Sequence, residues 1–421
     1  MGELFGPAKV IVSFLLTFYC LGSPAFAITK GQADTSIQVF NSTYWNAANK
    51  TFYKQDNKSG RLDYWMWAHA WETEMDAYER TKDPAYLQKI KDTYTGFIAS
   101  NGSNGTDLSN NPYNDDIAWW ILAATRAYEL TQDSTYRALA KMNFDWMYST
   151  QWDTVWGGGI WWQNRARGQK NTCSTIPMAI AGFKLAKQLS TPAYATKALA
   201  MQNWVRKRLY RPSGEVADRV TASGTNDSVV WGPLSYNHGI FIYGSYLAFV
   251  HTKDSVYFKE ALATSNYFRK DKCDSLGIMP DEKGSGGNTS NDAGMYKTVF
   301  VHYMMRFIIE SRQNQYLPWM NANANSLWKN RRTADNLMWF CWGTPAPTVT
   351  GTNGIGAHMA TGMVSLLNLI VIAESTPVVS ISQRGKPPSM APGGNGLRIR
   401  RDERIFSLDG KLETRSSGPR R

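Results

Sequence analysis

The sequence predicts an all-α fold, an (α/α)6 barrel of six helical hairpins, and three observations lead there. A turn motif recurs along most of the chain. The stretches flanking each copy carry apolar residues at helical spacing, as in Ile117-Ala-Trp-Trp-Ile121-Leu-Ala-Ala124. Counting from these turns gives twelve helices, and a repeat of this period marks a solenoid or a closed ring. A steady step and six units without capping repeats favour closure.

The motif reads Tyr78-Glu-Arg-Thr81-Lys-Asp83-Pro-Ala-Tyr86 and returns as Tyr128-Glu-Leu-Thr131-Gln-Asp133-Ser-Thr-Tyr136 and Val250-His-Thr252-Lys-Asp254-Ser-Val-Tyr257. Looser copies end at Tyr194 and Tyr316, so the closing tyrosines are spaced by 50, 58, 63 and 59 residues. In each copy a helix runs into a Thr-x-Asp turn. Asp83, Asp133 or Asp254 then accepts a hydrogen bond from the free N–H groups of the next helix. Pro84 stands just inside such a start, where its missing N–H costs nothing.

Taken in order, residues 1–27 read as a secretory signal: Lys9, an apolar run from Val10 to Leu21, and Ala25-Phe26-Ala27 for cleavage after Ala27. Export is therefore expected, to the periplasm or the outside, with no membrane span left after cleavage. A first helix is expected over 34–52. Five hairpins follow, turning near 82, 132, 191, 253 and 313, and a last helix over 356–374 docks on the first to close the ring. This barrel fills 28–375. The tail, 376–421, is basic and expected to be disordered, although Thr376–Ser382 reads like the first strand of an appended β-module.

Composition narrows the function. Hydrophobic residues at 43% and charged residues at 19% exclude a largely disordered chain. The net charge of +12 does not signal nucleic acid, because the tail's ten Lys/Arg and four Asp/Glu supply half of it and the rest is spread without a basic run. Seventeen Trp residues offer the flat faces on which pyranose rings stack. The mature chain keeps Cys173, Cys273 and Cys341, so at most one disulfide forms. None of the five histidines makes an HExxH pattern, and neither a metal nor another cofactor is expected. A monomer is expected.

Helices preceding the Thr-x-Asp turns all start at one end of the ring, and the segments entering them are long and rich in Gly, Asn, Asp and Trp. Binding residues concentrate on such loops. The strongest chemical signal there is Asn110-Asn-Pro-Tyr113-Asn114-Asp115-Asp116-Ile-Ala-Trp119-Trp120. Acids at a helix start also serve as plain caps. As a pair among aromatics they suit a retaining glycosidase, which needs one ionised and one protonated carboxyl about 5–5.5 Å apart. The helix dipole favours ionising one, and that charge raises the pKa of the other. In Trp152–Trp162, glycines 157–159 let the backbone approach a ligand, and Trp161 and Trp162 can wall a subsite. Lys170, Asn171, Tyr236, Asn237, Asp292 and Lys297 sit at or near the starts of other inner helices.

At these residues the sequence resembles glycoside hydrolase family 76, the endo-acting α-1,6-mannanases of bacteria and their relatives in fungal cell-wall assembly. The motifs are Tyr113-Asn-Asp-Asp116 with Trp119-Trp120, Gly158-Gly-Ile-Trp161, Lys170-Asn171 and Tyr236-Asn-His-Gly239, spanning roughly 35–375. The resemblance implies a retaining hydrolase of α-mannan polysaccharides or oligosaccharides, with Asp115 as nucleophile and Asp116 as acid/base. Tyr113, Asn114, Trp119, Trp161, Trp162, Lys170, Asn171, Tyr236, Asn237, Asp292 and Lys297 are its expected substrate contacts. Around Lys297 the chain departs from the family's Phe-Lys-Gly-Ile-type run, reading Tyr296-Lys297-Thr298-Val299. Two other functions stay open on the same residues: a cell-wall transglycosidase using the same Asp pair, and a non-catalytic glycan-binding protein.

Overall fold

The computed structural model describes residues 27–102, 105–223, 226–232, 234–282, 292–376, 399–401 and 404–406. Nearly all of the expected signal segment and of the expected strand at 376–382 lies outside them. The chain divides into two units, Met1–Thr376 and Pro377–Arg421.

Twelve α-helices make up the first unit among its described residues. They are α1 (Lys30–Tyr44), α2 (Tyr64–Thr81), α3 (Pro84–Ser100), α4 (Asn114–Thr131), α5 (Ser134–Gln151) and α6 (Thr172–Gln188). The others are α7 (Pro192–Arg208), α8 (Ser235–Thr252), α9 (Ser255–Tyr267), α10 (Ala293–Ser311), α11 (Leu317–Lys329) and α12 (Ala357–Ser375). The even-numbered helices pack side by side in the order α2, α4, α6, α8, α10, α12, and α12 returns to α2. This is the closed ring, and α1 docks on α12 as expected. Sequence pattern separates the two layers. Every residue of α2 from Met66 to Ala77 is buried, so the helix is enclosed all round. Outer α3 buries only Ile90, Thr93, Gly96 and Phe97, one stripe.

The turns follow the motif closely. Asp83, Asp133 and Asp254 accept from the backbone N–H two residues on, at 2.8, 2.9 and 3.0 Å. Thr81, Thr131 and Thr252 accept from the N–H of those aspartates at 3.1–3.2 Å. The residue between, Lys82, Gln132 or Lys253, ends its helix in the left-handed conformation at φ 59°, 60° or 63°.

Three corrections follow. The first helix stops at Tyr44; Trp45–Asn46 (β1) and Thr51–Phe52 (β2) form a small hairpin instead. That hairpin lies on α3, where a Cβ on Gly96 would come within 2.0 Å of the Lys50 carbonyl oxygen. The long entering loops are also partly regular: β3 (Gln169–Asn171), β4 (Arg219–Ser223) and β5 (Asn226–Val230) form an antiparallel sheet at the rim. Third, α12 is long and apolar enough to cross a membrane, which the sequence reading denied of any segment after the signal. Its apolarity has a local reason, since an inner helix of the ring buries nearly every face. In the second unit, β6 (Ile399–Arg401) pairs antiparallel with β7 (Arg404–Phe406); the rest of the tail lies outside the described residues.

Candidate active site

The start of α4 is held from both sides. The Asn111 side-chain oxygen accepts from the Tyr113 N–H at 2.8 Å, shaping the approach. Asn114 donates its backbone N–H to the Trp162 carbonyl at 2.8 Å and its side-chain amide to the Trp161 carbonyl at 2.8 Å. The first turn of α4 is thereby fixed to the segment carrying Trp162. That segment in turn bridges to β3 through Trp161 and Lys170.

Asp115 and Asp116 fall in this first turn and line a cavity of about 500 Å³. Asp115 Oδ2 accepts from the Trp162 indole N–H at 3.1 Å and from the Cys173 thiol at 3.6 Å. Asp116 Oδ2 accepts from the Asn111 amide at 3.1 Å. Burial pushes the Asp115 carboxyl up to about 6, partly offset by the Trp162 donor, the first-turn backbone N–H groups and Cys173. Burial also raises Asp116, and the negative charge of Asp115 raises it further, well above the carboxylate range. Desolvation, rather than the helix dipole, is therefore the main lever. The outcome is nonetheless one carboxyl that ionises first and one that keeps its proton, the division of labour acid/base chemistry requires.

Of the eleven expected contacts, Tyr113, Trp119, Trp162, Tyr236 and Asp292 line the cavity. Tyr113 leans on Trp162 with ring centroids 4.9 Å apart. Asp292 accepts from the Trp65 indole at 3.3 Å. The other six support the site without reaching it. Lys170 is fully buried and gives its ammonium to Asp153 and to the carbonyls of Val155 and Gly158, at 2.5–2.8 Å. Lys297 is buried too, bonded to Asp281 at 2.6 Å. Trp161 lies under the Lys170 ammonium and bonds Asp153 at 2.7 Å. Asn114 is spent on the clip to α4, Asn171 stands at the buried start of α6, and Asn237 donates to Asp218 at 3.2 Å. The glycines likewise serve packing: a Cβ on Gly159 would meet the Trp204 ring at 2.6 Å.

Asp63, Tyr64, Trp65, Cys173 and Tyr296 also line the cavity and were not anticipated. Tyr296 was within reach of sequence reasoning, being the aromatic beside Lys297 where the family pattern changes. Cys173 carried no signal beyond its place at a helix start. Among the described residues, four aspartates line the cavity and no Lys, Arg or His does.

A larger open groove of about 1030 Å³ lies at the turn end of the ring. It lacks an unpaired acid pair, since Glu129 bonds Lys184 at 2.7 Å and Glu310 accepts from Tyr243 at 2.8 Å. A third group of acids lies inside the ring. Arg306 of α10 grips Glu79 of α2 through two hydrogen bonds at 2.9 and 2.6 Å, and Arg126 of α4 bonds Asp76 at 2.6 Å. His69 and His302 approach Glu72 at 3.1 and 3.4 Å.

A closed ring of helical hairpins with an acid pair in an aromatic-walled cavity defines a glycoside hydrolase of the helical-barrel class. The sequence profile described as Glycosyl hydrolase family 76 matches residues 29–380, and the chain belongs to that family. Among solved structures it is similar to the α-1,6-mannanase of a Salegentibacter species, at 24% identity and a TM-score of 0.73, over 82% of this chain and 99% of that one. An inactive variant of that enzyme with two consecutive Asp→Asn changes, in complex with α-1,6-mannotriose, aligns at 23% identity with the same TM-score, over 82% and 99%. Dfg5 of Chaetomium thermophilum, in complex with glucosamine, aligns at 18% identity and a TM-score of 0.66, over 85% and 95%. At these identities the likeness shows the fold. No curated protein matched the sequence.

Proposed function

We propose that the chain is an exported, monomeric, endo-acting hydrolase of α-1,6-mannan that retains anomeric configuration through a glycosyl-enzyme intermediate. The carrying observation is the consecutive pair Asp115 and Asp116 in one cavity, with the pKa of Asp116 held above that of Asp115. The Asp115 carboxylate attacks the anomeric carbon while Asp116 gives its proton to the departing sugar oxygen. Asp116 then takes a proton from water as that water releases the glycosyl group. Inversion needs a water between base and anomeric carbon and about 6.5–9.5 Å between carboxyls, which neighbouring side chains reach only when fully splayed. Trp162, Tyr113 and Trp119 supply the faces for stacking. The mannotriose complex of the Salegentibacter enzyme supports the choice of glycan.

A second reading, transfer to a sugar hydroxyl in place of water, is favoured by a specific observation. Of the four aspartates that line the cavity, Asp63 is paired with Lys54 at 2.8 Å and the other three have no bonded cation among the described residues, an excess of acid that suits a protonated amino sugar; Dfg5, similar in fold, is in complex with glucosamine. Linear α-1,6-mannan oligosaccharides of increasing length, with and without a labelled acceptor sugar, separate these readings. Reducing-end mannose oligomers support hydrolysis, and labelled longer products support transfer. Tight binding without turnover, unaffected by changing both aspartates, would leave a glycan-binding protein.

A further inference from the structure

We infer that Cys173 is a positioning residue for Asp115, its thiol donating the hydrogen bond that fixes the carboxylate plane for attack. This rests on the reading of Asp115 as nucleophile. Cys173 is the second residue of α6, so the first turn of one inner helix faces the first turn of another. Cys173 is 4% exposed and lines the cavity, and its Sγ lies 3.6 Å from Asp115 Oδ2. The same oxygen takes the Trp162 indole N–H at 3.1 Å, while Oδ1 has no hydrogen-bond partner among the described residues. Two side-chain donors on one oxygen and none on the other set the orientation of the carboxylate and leave Oδ1 the more nucleophilic.

Sulfur can play this part only as a protonated thiol, because a thiolate would repel the carboxylate. Burial, then the charges of Asp115 and Asp218, pushes the thiol well above its ordinary value. The groups around Asp115 agree. Asp116 faces it from α4, and Tyr236 from α8, whose hydroxyl bonds Asp218 at 3.3 Å. Tyr296 and Asp292 face it from α10 and its approach, and Asp63 and Tyr64 from the start of α2. None is a cation. Neutral donors are therefore what lowers the cost of ionising Asp115, and Cys173 and Trp162 are the two side chains among the described residues that supply them.

The test compares Cys173→Ala with Cys173→Ser. Loss of the donor should move the acid limb of kcat/KM upward by about one pH unit, while Ser keeps the limb in place. An acid limb that stays put in the Ala variant overturns the inference. A second readout does not depend on activity. The Raman difference between wild type and Cys173→Ala isolates the Cys173 S–H stretch. A band below the unbonded thiol position that moves up as pH falls and Asp115 is protonated supports the bond. A pH-invariant band at the unbonded position overturns it. If the bonded band is found in a protein that hydrolyses no mannan, the proposed function fails and the contact stands.

Discussion

Two groups of buried acids in one barrel are treated in opposite ways. At the rim, Asp115 and Asp116 have neutral donors and, among the described residues, no bonded cation, and burial raises both. Inside the ring, Asp76 and Glu79 meet two arginines. Burial alone would raise Asp76, but Arg126 and then His302 hold it down to about 2. Glu79 is likewise held well below its ordinary range, Arg306 overcoming burial. The interior acids belong to α2, their partners to α4 and α10, so these pairs tie helices across the ring. The difference separates a group that costs stability and is kept for chemistry from one whose charges are matched and hold the scaffold.

That contrast can be broken, starting with the largest effect. Asp115→Ala should lower kcat on α-1,6-mannan oligosaccharides by at least about 10⁴-fold, as loss of a nucleophile does, with the helical circular dichroism unchanged. Retained turnover within tenfold of wild type would remove Asp115 from the mechanism. Next, Arg306→Met should destabilise the fold by about 3–5 kcal/mol in urea denaturation, because it leaves the Asp76 and Glu79 carboxylates to share Arg126 as their one arginine. Little change would mean that the interior cluster is not a tie.

A smaller effect has the opposite sign. Asp115 has its folded pKa raised from 3.8 to about 6, so it carries no penalty below pH 4, and stability is lost as pH rises through 6. Asp115→Asn should therefore stabilise the protein by about 3 kcal/mol at pH 7 and by only about 0.5 kcal/mol at pH 4. Asp76 runs the other way: its contribution is present at neutral pH and is lost as pH falls toward 2. Urea melts of the Asp115 variant at pH 4 and 7 check the sign, and destabilisation at pH 7 would contradict the rim account. Smallest is Trp162→Phe, which keeps the ring and loses the donor. It should shift the acid limb of kcat/KM upward by about one pH unit or less, with KM changed little.

Much of this architecture was legible in the sequence because it rests on local rules. Thr81, Asp83 and Pro84 encode a helix stop, a cap and a start within four residues, and their recurrence gave the ring. Asp115 and Asp116 were legible because both requirements, adjacency and a helix start, are sequence-local. That Lys170, Lys297 and the others outside the cavity lining are held in buried contacts was not legible, because burial is not local. A lysine next to an asparagine reads as a ligand, yet Lys170 donates to Asp153 and to two carbonyls of a chain segment 12 to 17 residues away. The interior ion group was invisible for the same reason, since Glu79 and Arg306 meet 227 positions apart. Cys173 becomes meaningful only once α6 is laid against α4.

The account stands or falls on the rim pair acting as nucleophile and acid on an α-1,6-mannosidic bond with retention. Proton NMR of an α-1,6-mannan oligosaccharide in the first minutes of hydrolysis, before mutarotation, tests this most directly. The predicted result is that the newly formed reducing end appears first as the α-anomer. Initial appearance of the β-anomer would contradict both the retaining mechanism and the role given to Asp115.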